Sequence, residues 1–372
     1  MDKFATTAEP MTHPRDFFSR DYADARRRFT EAAKAAGFTP ERHLNSKGIG
    51  PKGEALSTEV VRIGPKQAEA VIFANSATHG VEGFCGSGVQ VGWLANGLQR
   101  ELPKNVALVL VHAINPYGFA HERRVNEDNV DLNRNFRDHT KPSPHNAAYA
   151  EVHPWLIPAD WDGPAKKAAD AEIARYTAAR GERAFQAAVS TGQWEYPDGL
   201  FFGGRGPVWS NQLWRRLIRE HAVGARRAVQ LDFHTGLGAY GDCEVIFGVN
   251  KVVPADLARA RAWWGKVTCT ADGGSLSADV QGTNSGALQE ELPGAETTAV
   301  ALEYGVKPVS DTLGSLRADH WLYARGKVDS PLGREIKTYI RSAFYGETDD
   351  WKERIYAKGT EVLRQAIKGL QT

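Results

Sequence analysis

The feature that most constrains the fold is a pair of apolar, strand-like runs separated by one helix-length segment. Residues 71–74 (Val-Ile-Phe-Ala) and 106–111 (Val-Ala-Leu-Val-Leu-Val) are continuous and apolar, which is typical of strands buried on both faces of a sheet. Residues 83–98 between them have a helical period and an unusual density of glycine. That density indicates close packing on a sheet or the approach of a ligand. The order strand, helix, strand predicts a right-handed crossover.

Similar patterns along the rest of the chain predict one α/β domain. Residues 15–36 predict an amphipathic helix that ends at Gly37, whereas residues 140–207 are less regular. We predict a single domain over residues 1–372 with a mixed, mostly buried central sheet flanked by helices. Its core covers about residues 56–306, with helix 15–36 and the C-terminal helices over 332–370 packed on it. The other predicted strands are 56–63, 228–233, 244–249 and 297–303, the other predicted helices are 166–180, 209–222, 332–345 and 349–370, and the predicted loops are 47–53 and 194–208.

The composition argues against several classes of protein. Lys and Arg total 46 against 45 Asp and Glu, and this net charge of +1 gives no reason to expect nucleic acid or an anionic membrane as a partner. Three scattered cysteines, Cys85, Cys243 and Cys269, predict neither a disulfide framework nor a cysteine-based zinc site. Residues 1–10 lack the layout of a signal peptide, and no apolar run is long enough for a membrane span. We therefore expect a cytoplasmic protein.

A His and a Glu three residues apart directly follow the first apolar strand. His79 and Glu82 can place an imidazole nitrogen and a carboxylate oxygen on one metal ion. Zinc bound by two His and one Glu keeps a fourth position for water, which is the catalytic arrangement. The chain has 11 His and 45 acidic residues, so a pair at this spacing is expected by chance. Taken alone, the pair is better explained as a surface contact.

A polar loop follows the second apolar strand. It contains an Asn-Pro turn at residues 115–118 and a dense run of arginines, carboxylates and carboxamides over residues 123–136. Most such runs are solvated loops, but Val130 and Leu132 give this one two apolar anchors. Ligands of α/β sheets bind at the carboxyl ends of strands, and arginine holds a carboxylate through two parallel hydrogen bonds. The loop is therefore a candidate ligand-binding segment.

In this order, the motifs resemble the zinc carboxypeptidase superfamily, and more narrowly an uncharacterised bacterial branch of it. The resemblance rests on the His-x-x-Glu pair, on the Asn-Pro turn at 115–118 and above all on residues 130–136, Val-Asp-Leu-Asn-Arg-Asn-Phe. It extends over about residues 71–306, except for segment 140–207, and it does not include the N-terminal 55 residues or the C-terminal helices. It implies a zinc carboxypeptidase-like fold, a zinc ion as cofactor and hydrolysis of an amide bond.

The resemblance assigns the zinc ligands and a base. It implies that His79, Glu82 and His234 bind zinc, with His234 following the strand over 228–233. The alternative for His234 is a core histidine that ends a strand. Asp131 corresponds to the residue that accepts the other ring N–H of the first His and so fixes its tautomer. Glu303 corresponds to the general base, and an acid that ends an apolar strand is costly to bury unless it is paired or used.

The same resemblance assigns substrate contacts. Asn133 and Arg134 correspond to the pair that receives a substrate's terminal carboxylate, and Arg124 corresponds to the arginine that polarises the scissile carbonyl. Arg123, its immediate neighbour, is the alternative for this substrate-binding role. In the implied mechanism, zinc activates water, Glu303 takes the proton and returns it to the leaving amine, and zinc and Arg124 share the oxyanion.

The chain departs from digestive members of the superfamily, which carry a mobile tyrosine upstream of the base. No tyrosine occurs between Gly273 and Leu302. Acylases of the aspartoacylase and succinylglutamate desuccinylase types share the ligand set and cleave small N-acyl amino acids. Three functions therefore stay open: a zinc metallocarboxypeptidase acting on peptides, a zinc deacylase of small N-acyl amino acids and, less favoured, a non-catalytic binding protein. The expected partner is a peptide or N-acyl amino acid, and residues 270–296 are expected to select its side chain.

Overall fold

Eight strands form the central sheet within residues 13–372, which are the residues that the computed structural model describes. The sequence expectation about a signal peptide falls on residues 1–10 and lies outside them. The strands are β1 (Glu41–Ile49), β2 (Ala55–Ile63), β3 (Ala70–Asn75), β4 (Val106–His112), β5 (Arg227–Tyr240), β6 (Cys243–Phe247), β7 (Thr268–Cys269) and β8 (Glu296–Gly305).

The order of the strands is β1-β2-β4-β3-β5-β8-β6-β7. The four central strands β4, β3, β5 and β8 are parallel, while β2 and β6 run antiparallel to their inner neighbours. Every residue of β3 and β4 is buried, as expected for parallel strands covered on both faces. The predicted mixed, mostly buried sheet is confirmed.

Helices cover both faces of the sheet, and none of those within residues 13–372 has the length and apolar character needed to cross a bilayer. Helix α2 links β3 to β4, as the sequence predicted, and both α1 and α12 pack on it. The helices are α1 (Tyr22–Ala35), α2 (Gly83–Ala95), α3 (Pro116–Ala120), α4 (Ala147–Leu156), α5 (Pro164–Arg180), α6 (Glu182–Ser190), α7 (Trp209–His221), α8 (Pro254–Trp264), α9 (Asn284–Glu291), α10 (Val309–Arg325), α11 (Pro331–Phe344) and α12 (Asp349–Gly369).

The glycines of α2 serve close packing along most of the helix. A Cβ on Gly88 would lie 2.6 Å from the ring of Phe18, and one on Gly92 would lie 2.5 Å from the ring of Phe17. These two aromatic residues belong to the N-terminal segment, which the glycines allow to pack directly against the helix. Of the two explanations that the sequence left open for this glycine density, close packing applies here.

Several boundaries differ from the sequence predictions. The expected helix over 15–36 is two elements, a 3₁₀ turn at Pro14–Phe17 and α1, because the Asp21 side chain accepts the Asp24 N–H and begins a new helix. Strand β1 overlaps the segment predicted as a loop over 47–53. It is an edge strand whose residues are mostly exposed, so it lacks the apolar alternation that marks a buried strand.

The irregular segment 140–207 folds into three helices, α4, α5 and α6, which pack on one another. Their apolar side chains form a second core with α10 and α11, separate from the core of the sheet. The loop after α6 contacts the polar loop that follows β4, where the Phe202 carbonyl accepts the Asp131 N–H at 2.8 Å. This segment therefore reaches the carboxyl ends of the central strands.

Candidate metal centre

Three potential metal ligands converge at the carboxyl ends of β3 and β5. His79 follows β3, Glu82 ends the 3₁₀ turn Gly80–Glu82, and His234 lies in β5. The Nδ1 atoms of His79 and His234 lie 3.0 and 2.9 Å from the two carboxylate oxygens of Glu82, and 3.2 Å from each other. All three side chains are buried. Within residues 13–372, they form the one group of three such side chains close enough to share an ion.

The other nitrogen of each ring faces a buried aspartate. His79 Nε2 lies 3.2 Å from Asp131 Oδ1, and His234 Nε2 lies 2.6 Å from Asp232 Oδ2. Since a carboxylate only accepts, each of these contacts is suited to a hydrogen on Nε2. Glu82 faces the Nδ1 atoms in the same way. Burial opposes protonation of His234, but Asp232 and Glu82 raise the pKa of its imidazole well above the ordinary value. A metal cation bound by the two Nδ1 atoms and Glu82 would take the place of a hydrogen between them, and the spacing of these atoms suits ligand distances of about 2.0–2.2 Å to one zinc ion.

The loop that carries the first two ligands is fixed by a close backbone crossing. A Cβ on Gly80 would lie 1.9 Å from the backbone of Gly118, so only glycine fits between the two candidate metal ligands. The same crossing lets Gly80 donate its N–H to the Arg124 carbonyl at 3.2 Å. This hydrogen bond between the His-x-x-Glu segment and the backbone of Arg124 places Arg124 beside the candidate metal centre.

Arg124 and Asp131 complete one side of the centre. The Arg124 Nε donates to Asp131 Oδ2 at 2.8 Å, and its Nη1 donates to Glu82 Oε1 at 3.3 Å. Burial opposes ionisation of Asp131, but the guanidinium groups of Arg124 and Arg134 hold the pKa of its carboxyl well below the ordinary value. Asp131 is therefore a carboxylate that contacts both His79 and Arg124.

Asp232 has the corresponding position on the other side, and the sequence analysis missed it. Its carboxylate accepts from the Thr78 hydroxyl at 2.8 Å, from the Asn284 amide at 2.8 Å and from the Asn75 amide. A signal was present in the sequence, because residues two apart on a strand face the same side and Asp232 stands two positions before His234.

Glu303 lies opposite His234 in the pairing of β5 with β8. Its Oε1 accepts the backbone N–H of Leu237 at 3.0 Å, and the residue lines the same cavity as the candidate ligands. Burial, and after it the negative charge of Glu82, raises the pKa of Glu303 to about 8. A carboxyl group with its pKa near neutrality is suited to proton transfer.

Arg134 also lines this cavity, and its guanidinium is held by backbone carbonyls. It donates to the carbonyls of Asn133 at 2.8 Å, Thr191 at 3.1 Å and Ser190. The last two carbonyls belong to the C-terminal end of α6, where the helix dipole favours a cation. The Asn133 side-chain oxygen accepts the Asn284 N–H at 3.0 Å, which ties this loop to the start of α9.

The structure does not bring Arg123 to the cavity. Its Nε donates to Asp319 at 2.9 Å, and its guanidinium carbon lies 3.7 Å from the ring centroid of Tyr323. Asp319 also accepts from Lys337 at 2.7 Å. Consecutive side chains in this loop diverge, so Arg124 faces the cavity while Arg123 joins α10 and α11. Of the two arginines that the sequence offered for contact with substrate, the structure therefore places Arg124, and not Arg123, at the cavity.

The cavity encloses about 150 Å³ and joins the candidate ligands, Arg124, Arg134 and Glu303 to an uncharged region. Ala301 stands two positions before Glu303 on β8 and pairs with Ile246 of β6. Both Ala301 and Ile246 line the cavity. The sequence analysis missed the contribution of segment 140–207, which supplies Phe201 to the lining. The small or apolar residues of the uncharged region include Ile246, Gly248, Thr270, Ala278, Val280 and Ala301.

The chain matches a protein family of unknown function and is similar to several solved structures. A family model described as a protein of unknown function, DUF2817, matches residues 18–358. No curated protein matches the chain. Among solved structures, the chain is similar to carboxypeptidase A from Helicoverpa armigera, with 15% identity, 87% of this chain and 74% of that chain covered, and a TM-score of 0.46.

Two further similarities are of the same kind. Bovine thrombin-activatable fibrinolysis inhibitor in complex with tick carboxypeptidase inhibitor has 11% identity, with 93% of this chain and 98% of that chain covered and a TM-score of 0.43. Metallo-carboxypeptidase from Burkholderia cenocepacia has 13% identity, with 90% and 69% covered and a TM-score of 0.40.

Proposed function

The chain belongs to the DUF2817 family of proteins of unknown function, and we propose that it is a zinc-dependent hydrolase of amide bonds. The observation that carries the proposal is the convergence of His79, Glu82 and His234 as three potential metal ligands, with Glu303 and Arg124 lining the same cavity. In such a site, zinc supplies Lewis-acid activation of a water molecule when it is bound.

The residues of the chain have complementary roles in this proposal. Glu303 removes a proton from the attacking water and delivers it to the leaving amine, for which its raised pKa is suited. Arg124 carries a permanent positive charge next to the ligands and stabilises the negative charge that develops on the carbonyl oxygen. Asp131 and Asp232 hold the two imidazole rings in the tautomer that leaves Nδ1 free to bind the metal.

We propose more specifically that the enzyme is a metallocarboxypeptidase, which removes a C-terminal residue from a peptide or peptide-like substrate. Arg134 supports this assignment, because it is buried, lines the cavity and is fixed by carbonyls at the end of α6. A fixed guanidinium at a cavity wall is suited to a carboxylate. The uncharged wall formed by Ile246, Ala301 and their neighbours favours a neutral side chain on the residue that is released.

One observation favours a second candidate, a deacylase of small N-acyl amino acids. The cavity encloses only about 150 Å³, and segment 140–207 contributes to its wall. A small acyl group and an amino acid carboxylate need less room than a peptide. The two candidates share the metal centre, Glu303 and the carboxylate contact, and they differ in the group on the other side of the scissile bond.

The test is a substrate panel with zinc-loaded protein. Peptides with a free carboxyl terminus, the same peptides with an amidated terminus, and N-acyl amino acids with short acyl groups are compared at equal concentration. Release of the terminal residue from free-acid peptides alone supports the carboxypeptidase. Preference for short N-acyl amino acids transfers the assignment to the deacylase. Absence of hydrolysis from all three series in protein with full zinc occupancy would contradict both.

A further inference from the structure

Phe201 has a backbone conformation that residues with a side chain rarely adopt. Its φ is +53°, in the left-handed region where the Cβ crowds the backbone. The residue is nevertheless buried. Strained residues of this kind persist only where the surrounding structure holds them, and they concentrate at functional sites.

Backbone hydrogen bonds on both sides hold Phe201 in place. Its carbonyl accepts the Gln193 N–H at 3.1 Å, and the carbonyl of Phe202 accepts the Asp131 N–H at 2.8 Å. Gln193 is buried and donates its side-chain amide to the Leu200 carbonyl at 3.2 Å. The strained residue is therefore tied, through its neighbour, to the backbone of the aspartate that contacts His79.

The ring of Phe201 lines the cavity and lies near both of its arginines. The guanidinium carbon of Arg124 is 5.0 Å from the ring centroid, and that of Arg134 is 5.5 Å from it. Both distances are within the range of about 6 Å in which a ring face attracts a cation. Hydrogen bonds to carboxylates and carbonyls fix each guanidinium at its edge, but such in-plane bonds leave the faces of the group uncovered.

We propose that Phe201 is a positioning residue for substrate recognition. Its ring covers the guanidinium groups of Arg124 and Arg134 and holds them in the orientation that meets the carbonyl and the carboxylate of the substrate. The identity of those substrate groups rests on the proposed function. In this proposal, segment 140–207 is an integral part of the active site, although the resemblance to a known family did not cover it.

The kinetic test compares Phe201→Leu with Phe201→Tyr. Both replacements carry a Cβ and meet the same backbone restriction, but only tyrosine keeps an aromatic face. For Phe201→Leu we expect about a tenfold lower kcat/KM on free-acid substrates, mainly through a higher KM, as the loss of cation–ring contacts implies. The amidated substrates should change less. Phe201→Tyr should restore the free-acid value to within about threefold.

Trp161→Leu is a matched control, because Trp161 is an aromatic residue of the same segment placed 5.6 Å from the guanidinium carbon of Arg317. Trp161 does not line the cavity. We expect this variant to change stability without changing KM on either substrate series. A rise in KM equal to that of Phe201→Leu would indicate a general effect of loosening the segment and would overturn the assignment to Phe201.

A second readout is independent of activity. The Nε–H groups of Arg124 and Arg134 donate to Asp131 and to the Thr191 carbonyl, so they are protected from exchange and observable by NMR in protein labelled with ¹⁵N-arginine. Arg124→Lys and Arg134→Lys assign the two signals. The ring current of Phe201 should displace both, and Phe201→Leu should remove the displacement while Phe201→Tyr keeps it.

The two readouts separate the inference from the function on which it rests. Unchanged arginine signals in Phe201→Leu, or an unchanged KM on free-acid substrates, would overturn the positioning role. If both signals move as expected but the zinc-loaded wild type hydrolyses none of the three substrate series, the proposed function fails while the contact of the ring with both arginines stands.

Discussion

Asp232 Oδ2 lies 2.6 Å from His234 Nε2, two positions along the same strand. The strand itself therefore supplies both a candidate metal ligand and the carboxylate that orients it. Asp232 is buried and accepts from three further side chains, so it holds the imidazole rigidly. Asp131, which lies in the loop after β4, contacts the imidazole of His79 in the same way. Each imidazole of the centre therefore has its own aspartate.

Asp232→Asn should weaken zinc binding while leaving the ligands in place. A carboxamide has one acceptor oxygen where the carboxylate has two, and it has no charge to raise the basicity of the imidazole. We expect the zinc affinity to fall about 10- to 100-fold, measured by competition with a chelator of known affinity. Asp319→Asn removes a buried aspartate paired with Arg123 and Lys337, and it should lower stability without this loss of affinity. Equal zinc affinity in wild type and Asp232→Asn would contradict the role of Asp232.

Glu303→Gln should keep zinc and lose hydrolysis. Glutamine fills the same space but cannot take a proton from water, so we expect turnover to fall by at least about 100-fold. Glu244→Gln is the control, because Glu244 pairs with Glu303 across β6 and β8 but does not line the cavity. Turnover on a confirmed substrate should survive in Glu244→Gln. If the two variants behaved in the opposite way, the base would be Glu244.

The stability of the metal-free protein should depend on pH through Glu303. Its folded-state pKa of about 8 is above the ordinary value of 4.5, so the unfolded chain loses this proton at a lower pH than the folded protein does. The stabilising contribution of the protonated group is fully present below pH 4.5 and is lost as the pH rises to about 8. Thermal melts of metal-free wild type should therefore lose more stability across this window than those of Glu303→Gln. Saturating zinc should reduce the difference, and parallel pH profiles for the two metal-free proteins would contradict the assignment.

Arg134→Lys should remove the preference for a free carboxyl terminus. Lysine cannot serve three carbonyls and a substrate carboxylate at once, so we expect the rate on free-acid substrates to fall about 10- to 100-fold, the usual cost of losing a charged hydrogen bond, with little change on amidated ones. Arg123→Lys is the matched control, since Arg123 contacts Asp319 and Tyr323 outside the cavity. A change of terminal preference in Arg123→Lys, but not in Arg134→Lys, would reverse the roles given to these arginines.

Much of the sheet could be predicted from the sequence, because β3 and β4 are apolar runs buried on both faces and β8 is buried along most of its length. The edge strand β1 could not, since an exposed strand leaves no hydrophobic pattern. Short helices such as α9 also escaped prediction. The helix begins where the Thr283 side chain accepts the Gly286 N–H. A threonine followed by glycine also occurs in loops, so this capping pattern alone does not predict a helix.

For the site, the sequence motifs indicated residues at the ends of strands, and the structure brings His79, Glu82, His234 and Glu303 to one cavity. Contacts across long sequence separations were beyond reach. The position of Phe201 depends on how segment 140–207 folds back to the sheet, and no local pattern encodes it. The divergence of Arg123 from Arg124 likewise depends on α10 and α11, which lie almost two hundred residues later in the chain.

The most direct test of the central claim is the zinc stoichiometry of purified wild type, His234→Ala and His145→Ala, measured after equilibration with buffered zinc. We expect one zinc ion per wild-type chain, its loss in His234→Ala, and its retention in His145→Ala, where the replaced imidazole is exposed and lies against Glu195. Full zinc occupancy in His234→Ala, or none in wild type, would contradict the metal centre from which the proposed hydrolase function follows.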